Sequence, residues 1–322
     1  MKKKVIIGLT YGDPAGIGPE ILLKTLNGWK FKLKPIVVGL KKYLFGSNKY
    51  SKKVHYKCIF EKKNNINKKL VRPGVPSEFT GRHSYECLQQ VVKLVNDKYL
   101  NAIVTGPVSK FVINDVGIKF SGQTEKIAEL SGKKADDVIM LFVARDLRIS
   151  LFTRHIPLNQ VSKEITCKKL FKHIVLLNNE LKKWFCIKNP RILVLGVNPH
   201  ASENSMFGHE EIKIIKPVVE KLKSNGYKLY GPSSADASLA SAGKNFLLGK
   251  NQQFDAYVSF YHDQSLPFFK AVAGMEGVNV TLGLPFLRVS VDHGTAYDIA
   301  GKNKASNKSL ISAIKLLEEL LC

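Results

Sequence analysis

Short apolar runs rich in β-branched residues alternate along this chain with longer amphipathic stretches, and this alternation restricts the fold more than any other feature. Residues 4–9, 35–39, 102–105, 138–143, 149–153, 192–196, 256–260 and 278–281 are predicted strands. Residues 18–26, 78–94, 124–130, 167–184, 210–224 and 308–321 are predicted helices. Strand, turn and helix in repeated succession imply parallel strands joined by helical crossovers: an α/β architecture with mostly parallel sheets and flanking helices. The 322 residues exceed one ordinary core, so two domains or one large α/β domain are expected. Residues 48–69, polar and Lys-rich, read as a peripheral segment, and 241–253 as a surface excursion.

Several function classes recede on composition. No run of 18 apolar residues exists, so nothing in the sequence suggests a membrane span. The N-terminus begins basic and then apolar, like a signal peptide. Its apolar run covers only residues 5–9 and enters a Gly/Asp/Pro turn without a small-residue cleavage pattern, so it reads as a first buried strand. Five scattered cysteines without a CxxC pair argue against a disulfide framework and a thiolate zinc site, and a reducing cytoplasm is the simplest setting. The net charge is +24, but only 7 of the 50 basic residues are Arg. Nucleic-acid readers lean on Arg for bidentate and stacking contacts, so the charge reads as a Lys-painted surface whose field draws in an anionic substrate.

Three predicted strands run into a histidine: ISLFTRH reaches His155, RILVLGVNPH reaches His200 and AYVSFYHD reaches His262. Ligands of open α/β sheets bind at the carboxyl ends of strands. A lone histidine is usually a packed or surface residue, but three at one topological position suit a catalytic divalent ion such as zinc or cobalt. The remaining histidines take blander roles: His55 and His173 at the surface, His83 at a helix start, His209 structural. Gly-rich turns add anion-binding candidates. GDPAGIGPE at residues 12–20 joins the first strand to the first helix, and TGPVSK at 105–110 carries a hydroxyl and an amine. Near Gly231-Pro232, Asp236 offers a carboxylate.

The C-terminal third is densest: YHDQSLPFFK from Tyr261, then GVNVTLGLPFLRVSVDHGTAYDIAGKNKAS. Taken with GDPAGIGPE, TGPVSK, TRHIPL and NPHASEN…FGHEE, in this order across nearly the whole chain, the series resembles the 4-hydroxythreonine-4-phosphate dehydrogenase family. The resemblance implies an isocitrate/isopropylmalate dehydrogenase-like fold of two domains, 1–122 with 265–322 and 123–264, with the active site in the interdomain cleft of a homodimer. It implies oxidation of 4-phosphooxy-L-threonine by NAD or NADP, with decarboxylation to 3-amino-2-oxopropyl phosphate, in pyridoxal phosphate biosynthesis. It also assigns residues. His155, His200 and His262 hold zinc, magnesium or cobalt, one of them donated across the dimer. Lys270, Asn279, Arg288, Thr124 and position 123 contact substrate. His293, Gly294, Thr295, Ala296 and Asp298 belong to the adenosine-binding loop, which accords with the lack of a GxGxxG fingerprint. Lys270 or Asp236 takes the hydroxyl proton, and the residues leave that choice open.

Three departures from the family stand out. Gln123 replaces the histidine of its GHTE motif, so the amide still hydrogen-bonds but carries no charge. Residues 202–206 lack the family's glycines, and Ser265 stands where a glycine is usual. Gln123 keeps a related substrate open, threonate or erythronate 4-phosphate. A basic nucleic-acid-binding protein on an enzyme scaffold is the reading from another class, and the intact histidine set argues against it.

Overall fold

The computed structural model describes residues 5–40, 43–44 and 71–321. The expected peripheral segment 48–69, with His55, lies outside them. In chain order the elements are β1 (Ile6–Thr10), α1 (Gly18–Asn27), β2 (Lys34–Val37), α2 (Glu78–Asn96), β3 (Ala102–Thr105), α3 (Lys110–Asp115) and α4 (Gln123–Leu130). There follow β4 (Ile139–Ala144), β5 (Leu147–Leu151), α5 (Val161–Glu164), α6 (Cys167–Trp184), β6 (Ile192–Leu195), α7 (Lys216–Ser224), β7 (Leu229–Ser233) and α8 (Ala235–Leu247). The last are β8 (Ala256–Ser259), α9 (His262–Ala273), β9 (Val278–Leu282), β10 (Leu287–Val291) and α10 (Lys308–Leu321). The chain divides into two compact units, Met1–Val138 with Val278–Cys322, and Ile139–Gly277. Both boundaries fall later along the chain than the expected 122/123 and 264/265, because α4 packs with α2 and α9 packs with α8.

The first unit orders its strands β2-β1-β3-β10-β9, with only β9 and β10 antiparallel. α2 starts with a reciprocal cap: Thr80 N–H donates to Ser77 Oγ, and Ser77 N–H donates to Thr80 Oγ1. Its Leu88, Val91, Val92 and Val95 repeat at helical spacing and pack with Ile103, Ile113, Phe120, Ile127 and Phe286.

The second unit orders its strands β4-β5-β8-β6-β7, antiparallel at β4–β5 and parallel thereafter. One face carries α8 and α9 through Leu239, Phe246, Leu266 and Phe269 against Phe142, Ile149, Leu195 and Tyr257. This corrects the reading of 241–253 as a surface excursion. Ala242 and Gly243 are buried, and a Cβ on Gly243 would lie 2.7 Å from the Phe268 ring, so the small residues let α8 approach α9. β7, α3, α5, α8, α9 and β10 were not expected. Pro267 inside α9 and Gly231-Pro232 inside β7 disguise both elements, since proline removes a backbone donor.

Candidate functional site

In the first unit a guanidinium is buried without a carboxylate partner. Arg288 on β10 is 2% exposed. Its Nε and Nη2 donate to Thr105 Oγ1 at 3.1 and 2.8 Å, Nη1 to Thr281 Oγ1 at 3.1 Å, and Nη2 also to Gln123 Oε1 at 3.3 Å. All of these acceptors are neutral. Burial pushes the guanidinium down to about 10, and the charge of Glu125 works against that shift. The register explains the grouping: Arg288 pairs with Thr281 and Ser290 with Asn279, so all four side chains share one sheet face. Asn279 Oδ1 is buried with no hydrogen-bond partner. Gln123, first residue of α4, donates from Nε2 to Gly106 O at 3.0 Å, and Thr124 beside it is 2% exposed.

The turn at residues 12–20 has another role than the anion cradle read from the sequence. Four of its amides are already taken: Asp13 N–H by Pro107 O, Ala15 N–H by Asp13 Oδ1, Gly16 N–H by Asp13 O and Ile17 N–H by Thr295 O. A Cβ on Gly16 would lie 2.8 Å from Thr295 O, which explains the glycine. Tyr297 donates to Asp13 Oδ2 at 2.7 Å. Burial raises the Asp13 carboxyl, against the hydrogen bonds from Tyr297, Ala15 and Thr80. The turn is therefore a seat for the loop 293–301. On that loop Gly294 and Asp298 are exposed, and Ala296 adopts φ 42°. His293 Nδ1 lies 3.0 Å from Gly294 O, while its Nε2 is buried with no partner.

In the second unit, β5, β8 and β6 are adjacent parallel strands, and their carboxyl ends lead to His155, His262 and His200 respectively. The rings of His155 and His262 lie 5.8 Å apart, centroid to centroid. With metal–nitrogen bonds of about 2.1 Å, that separation suits two imidazoles on one ion. Among the described residues no three His, Cys, Asp or Glu side chains stand together as a metal-binding group. His200 instead lines a cavity of about 600 Å³ with Asn198, Asp236, Asp263 and Gln264. Asp236, in the first turn of α8, is held below the usual carboxylate range by Ser234 Oγ, the Ala237 amide and the charge of His200. Lys270 is exposed in the last turn of α9, roughly 12 Å along the helix from His262.

His173, expected at the surface, packs its ring against Phe152 at 5.5 Å and meets Ser150 Oγ at 3.2 Å. Burial, with the nearby Arg154 charge, pushes it down to about 3. The lysines around it line the outer face of α6, while position 173 turns inward. Sequence reasoning also missed the role of Thr281 and of Glu211, a 1% exposed carboxylate bonded to the Val197 and Asn198 amides. The polar residue at an inward strand position was the available signal for Thr281. The glutamate pair in FGHEE was the signal for Glu211.

Parallel strands leading to imidazoles in one unit, with a buried guanidinium hydrogen-bonded only to neutral oxygens in the other, fit the class of α/β enzymes. Residues 31–317 match the family model described as pyridoxal phosphate biosynthetic protein PdxA, and the chain belongs to that family. It is 38% identical to the 4-hydroxythreonine-4-phosphate dehydrogenase of Sulfurihydrogenibium sp. (strain YO3AOP1), over 97% of each chain. It is also 38% identical to the enzyme of that name from Aquifex aeolicus, over 100% of this chain and 99% of the relative. A crystal structure of 4-hydroxythreonine-4-phosphate dehydrogenase from Klebsiella pneumoniae superposes with a TM-score of 0.81 at 30% identity, covering 99% of both chains.

Proposed function

We propose that the protein oxidises 4-phosphooxy-L-threonine with NAD or NADP, and that the product loses carbon dioxide to give 3-amino-2-oxopropyl phosphate. The observation that carries this reading is Arg288, buried with hydrogen bonds only to neutral oxygens. A buried cation whose direct hydrogen-bond partners are all neutral is costly unless an anion completes it, and a phosphate accepts a guanidinium's paired donors. Asn279 and Thr124 supply neutral hydrogen bonds beside it. The orphaned Asn279 Oδ1 fits a donor on the substrate.

His155, His200 and His262 are assigned to one divalent ion, zinc, magnesium or cobalt. Imidazole donors suit it, and the 5.8 Å approach of two rings supports the pair. Such an ion supplies Lewis-acid polarisation of the substrate alcohol oxygen. The family's shared site in a homodimer accounts for a third histidine standing apart from the other two in one chain. Loop residues His293, Gly294, Thr295, Ala296 and Asp298 are assigned to the adenosine end of the cofactor, which takes up the hydride. His293 Nε2, buried and unpartnered, fits a ligand contact there. The alcohol proton goes to a base, either Lys270 as the free amine or the Asp236 carboxylate. A cytoplasmic setting follows from this metabolism.

Purified protein with added Mg²⁺, Zn²⁺ or Co²⁺ is expected to reduce NAD or NADP when given 4-phosphooxy-L-threonine. Reduction only with threonate or erythronate 4-phosphate would transfer the reading to that substrate class, which Gln123 in place of a histidine favours. No reduction with any of the three would overturn it.

A further inference from the structure

His200 stands at the head of a backbone segment that six consecutive non-glycine residues hold in the left-handed region. The φ angles of His200, Ala201, Ser202, Glu203, Asn204 and Ser205 are 51°, 52°, 67°, 42°, 56° and 72°. Non-glycine side chains are sterically disfavoured in that region, so the surrounding structure must hold the segment in place. The fastening on its N-terminal side is one carboxylate. Glu211 Oε1 accepts Val197 N–H at 2.7 Å and Asn198 N–H at 2.8 Å, and Oε2 accepts Asn198 Nδ2 at 2.8 Å. Asn198 Nδ2 also donates to Glu210 Oε2 at 2.8 Å. Glu211 is 1% exposed, and its hydrogen-bond donors among the described residues are all neutral N–H groups. It opens the wide helical turn Glu211–Ile215 that runs into α7, where Ile215, Val219 and Leu222 are fully buried. The carboxylate is therefore fixed to a rigid helix on one side and grips the loop on the other.

We propose that Glu211 is a positioning residue for His200: it locks the Val197–Asn198 backbone and so sets where the left-handed loop presents the imidazole. The inference rests on the metal role assigned to His200. Partners behind a ligand that fix its orientation typically change metal affinity 10- to 100-fold when removed. Glu211→Gln keeps one acceptor oxygen but turns an NH₂ group toward a donor, either Asn198 Nδ2 or the two backbone amides. Glu211→Ala removes both acceptors.

The test uses the full-length protein loaded with cobalt(II). Its visible absorption reports coordination, and amide hydrogen exchange over residues 196–207 reports the loop. Glu211→Gln is expected to weaken cobalt binding about 10-fold or more, to change the spectrum and to speed exchange in that loop alone. Glu211→Ala should do more of each, and kcat should fall while KM for the phosphorylated substrate stays near wild type. Wild-type cobalt affinity, spectrum and exchange in Glu211→Gln would overturn the proposal. Lowered stability with an unchanged cobalt spectrum would overturn it too, since that is a structural role only. If both variants fail to fold, Asn198→Ala, which removes one arm of the clamp, is read by the same measures and the same outcomes. A wild-type protein that binds no cobalt defeats the metal reading itself. The clamp then stands if exchange rises only in the loop, and falls if it does not.

Discussion

At the residue scale, Arg288 and His173 are both enclosed ionisable groups, with opposite consequences. Arg288 keeps its charge and, in the proposed function, offers donors to the substrate phosphate. Arg288→Ala is expected to raise KM for the phosphorylated substrate about 30- to 150-fold, equivalent to ~2–3 kcal/mol of charge-assisted hydrogen bonding, with a smaller change in kcat. Arg288→Lys should recover little, because an ammonium cannot reproduce the fork that Thr105, Thr281 and Gln123 orient. Steady-state kinetics decide it, and an unchanged KM would remove Arg288 from the site.

His173 gives up its charge instead. Burial lowers its folded pKa to about 3, while the unfolded chain titrates near 6.5. The unfolded state therefore binds the extra proton between those values. Stability is complete above pH 6.5 and declines as pH falls toward 3, by at most about 1.4 kcal/mol per pH unit. Urea unfolding at pH 7 and pH 5 should show the loss in wild type and a flatter dependence in His173→Gln. Neither residue's surroundings were legible from the sequence. The strand that carries Arg288 was not predicted, and only the pairing of β10 with β3 and β9 brings Thr105 and Thr281 to its guanidinium.

At the element scale, recognition from sequence tracked how strongly each segment's local pattern agreed with its fold. β1, β3, β6, β8 and α2 have unbroken apolar periodicity and bounds close to those expected. The three metal-ligand candidates follow such strands, so their common sheet edge was legible in advance. α8 and α9 were not, because Ser, Gly and Pro lower their helical signal and long-range packing overrides it. The left-handed segment 200–205 was out of reach for the same reason: nothing in HASENS suggests six positive φ angles. Glycine adopts that conformation without a Cβ penalty. Glu203→Gly, at an exposed position with φ 42°, should therefore stabilise the protein by about 0.5–1 kcal/mol in urea unfolding, net of its larger unfolded-state entropy. A destabilised variant would contradict the left-handed backbone at that residue.

At the scale of the whole molecule, a net charge of +24 acts on any dianion that approaches. Raising ionic strength from about 0.05 to 0.5 M shortens the Debye length to a few ångströms and should lower kcat/KM several-fold. A non-phosphorylated analogue should be far less affected. Equal sensitivity for both compounds would assign the effect to the protein rather than to steering.

The strand order of the first unit also bears on how the chain is made. β10, which closes the sheet beside β3, is synthesised only after the whole of Ile139–Gly277. The second unit is contiguous in sequence and can fold as it emerges. At ~5–20 residues per second, the unpaired edge of β3 waits on the order of ten to thirty seconds for its neighbour. During that interval the hydroxyl of Thr105 has no guanidinium to hold, and the nascent chain carries an open β-edge for a chaperone to cover. The unit that carries Arg288 is completed last.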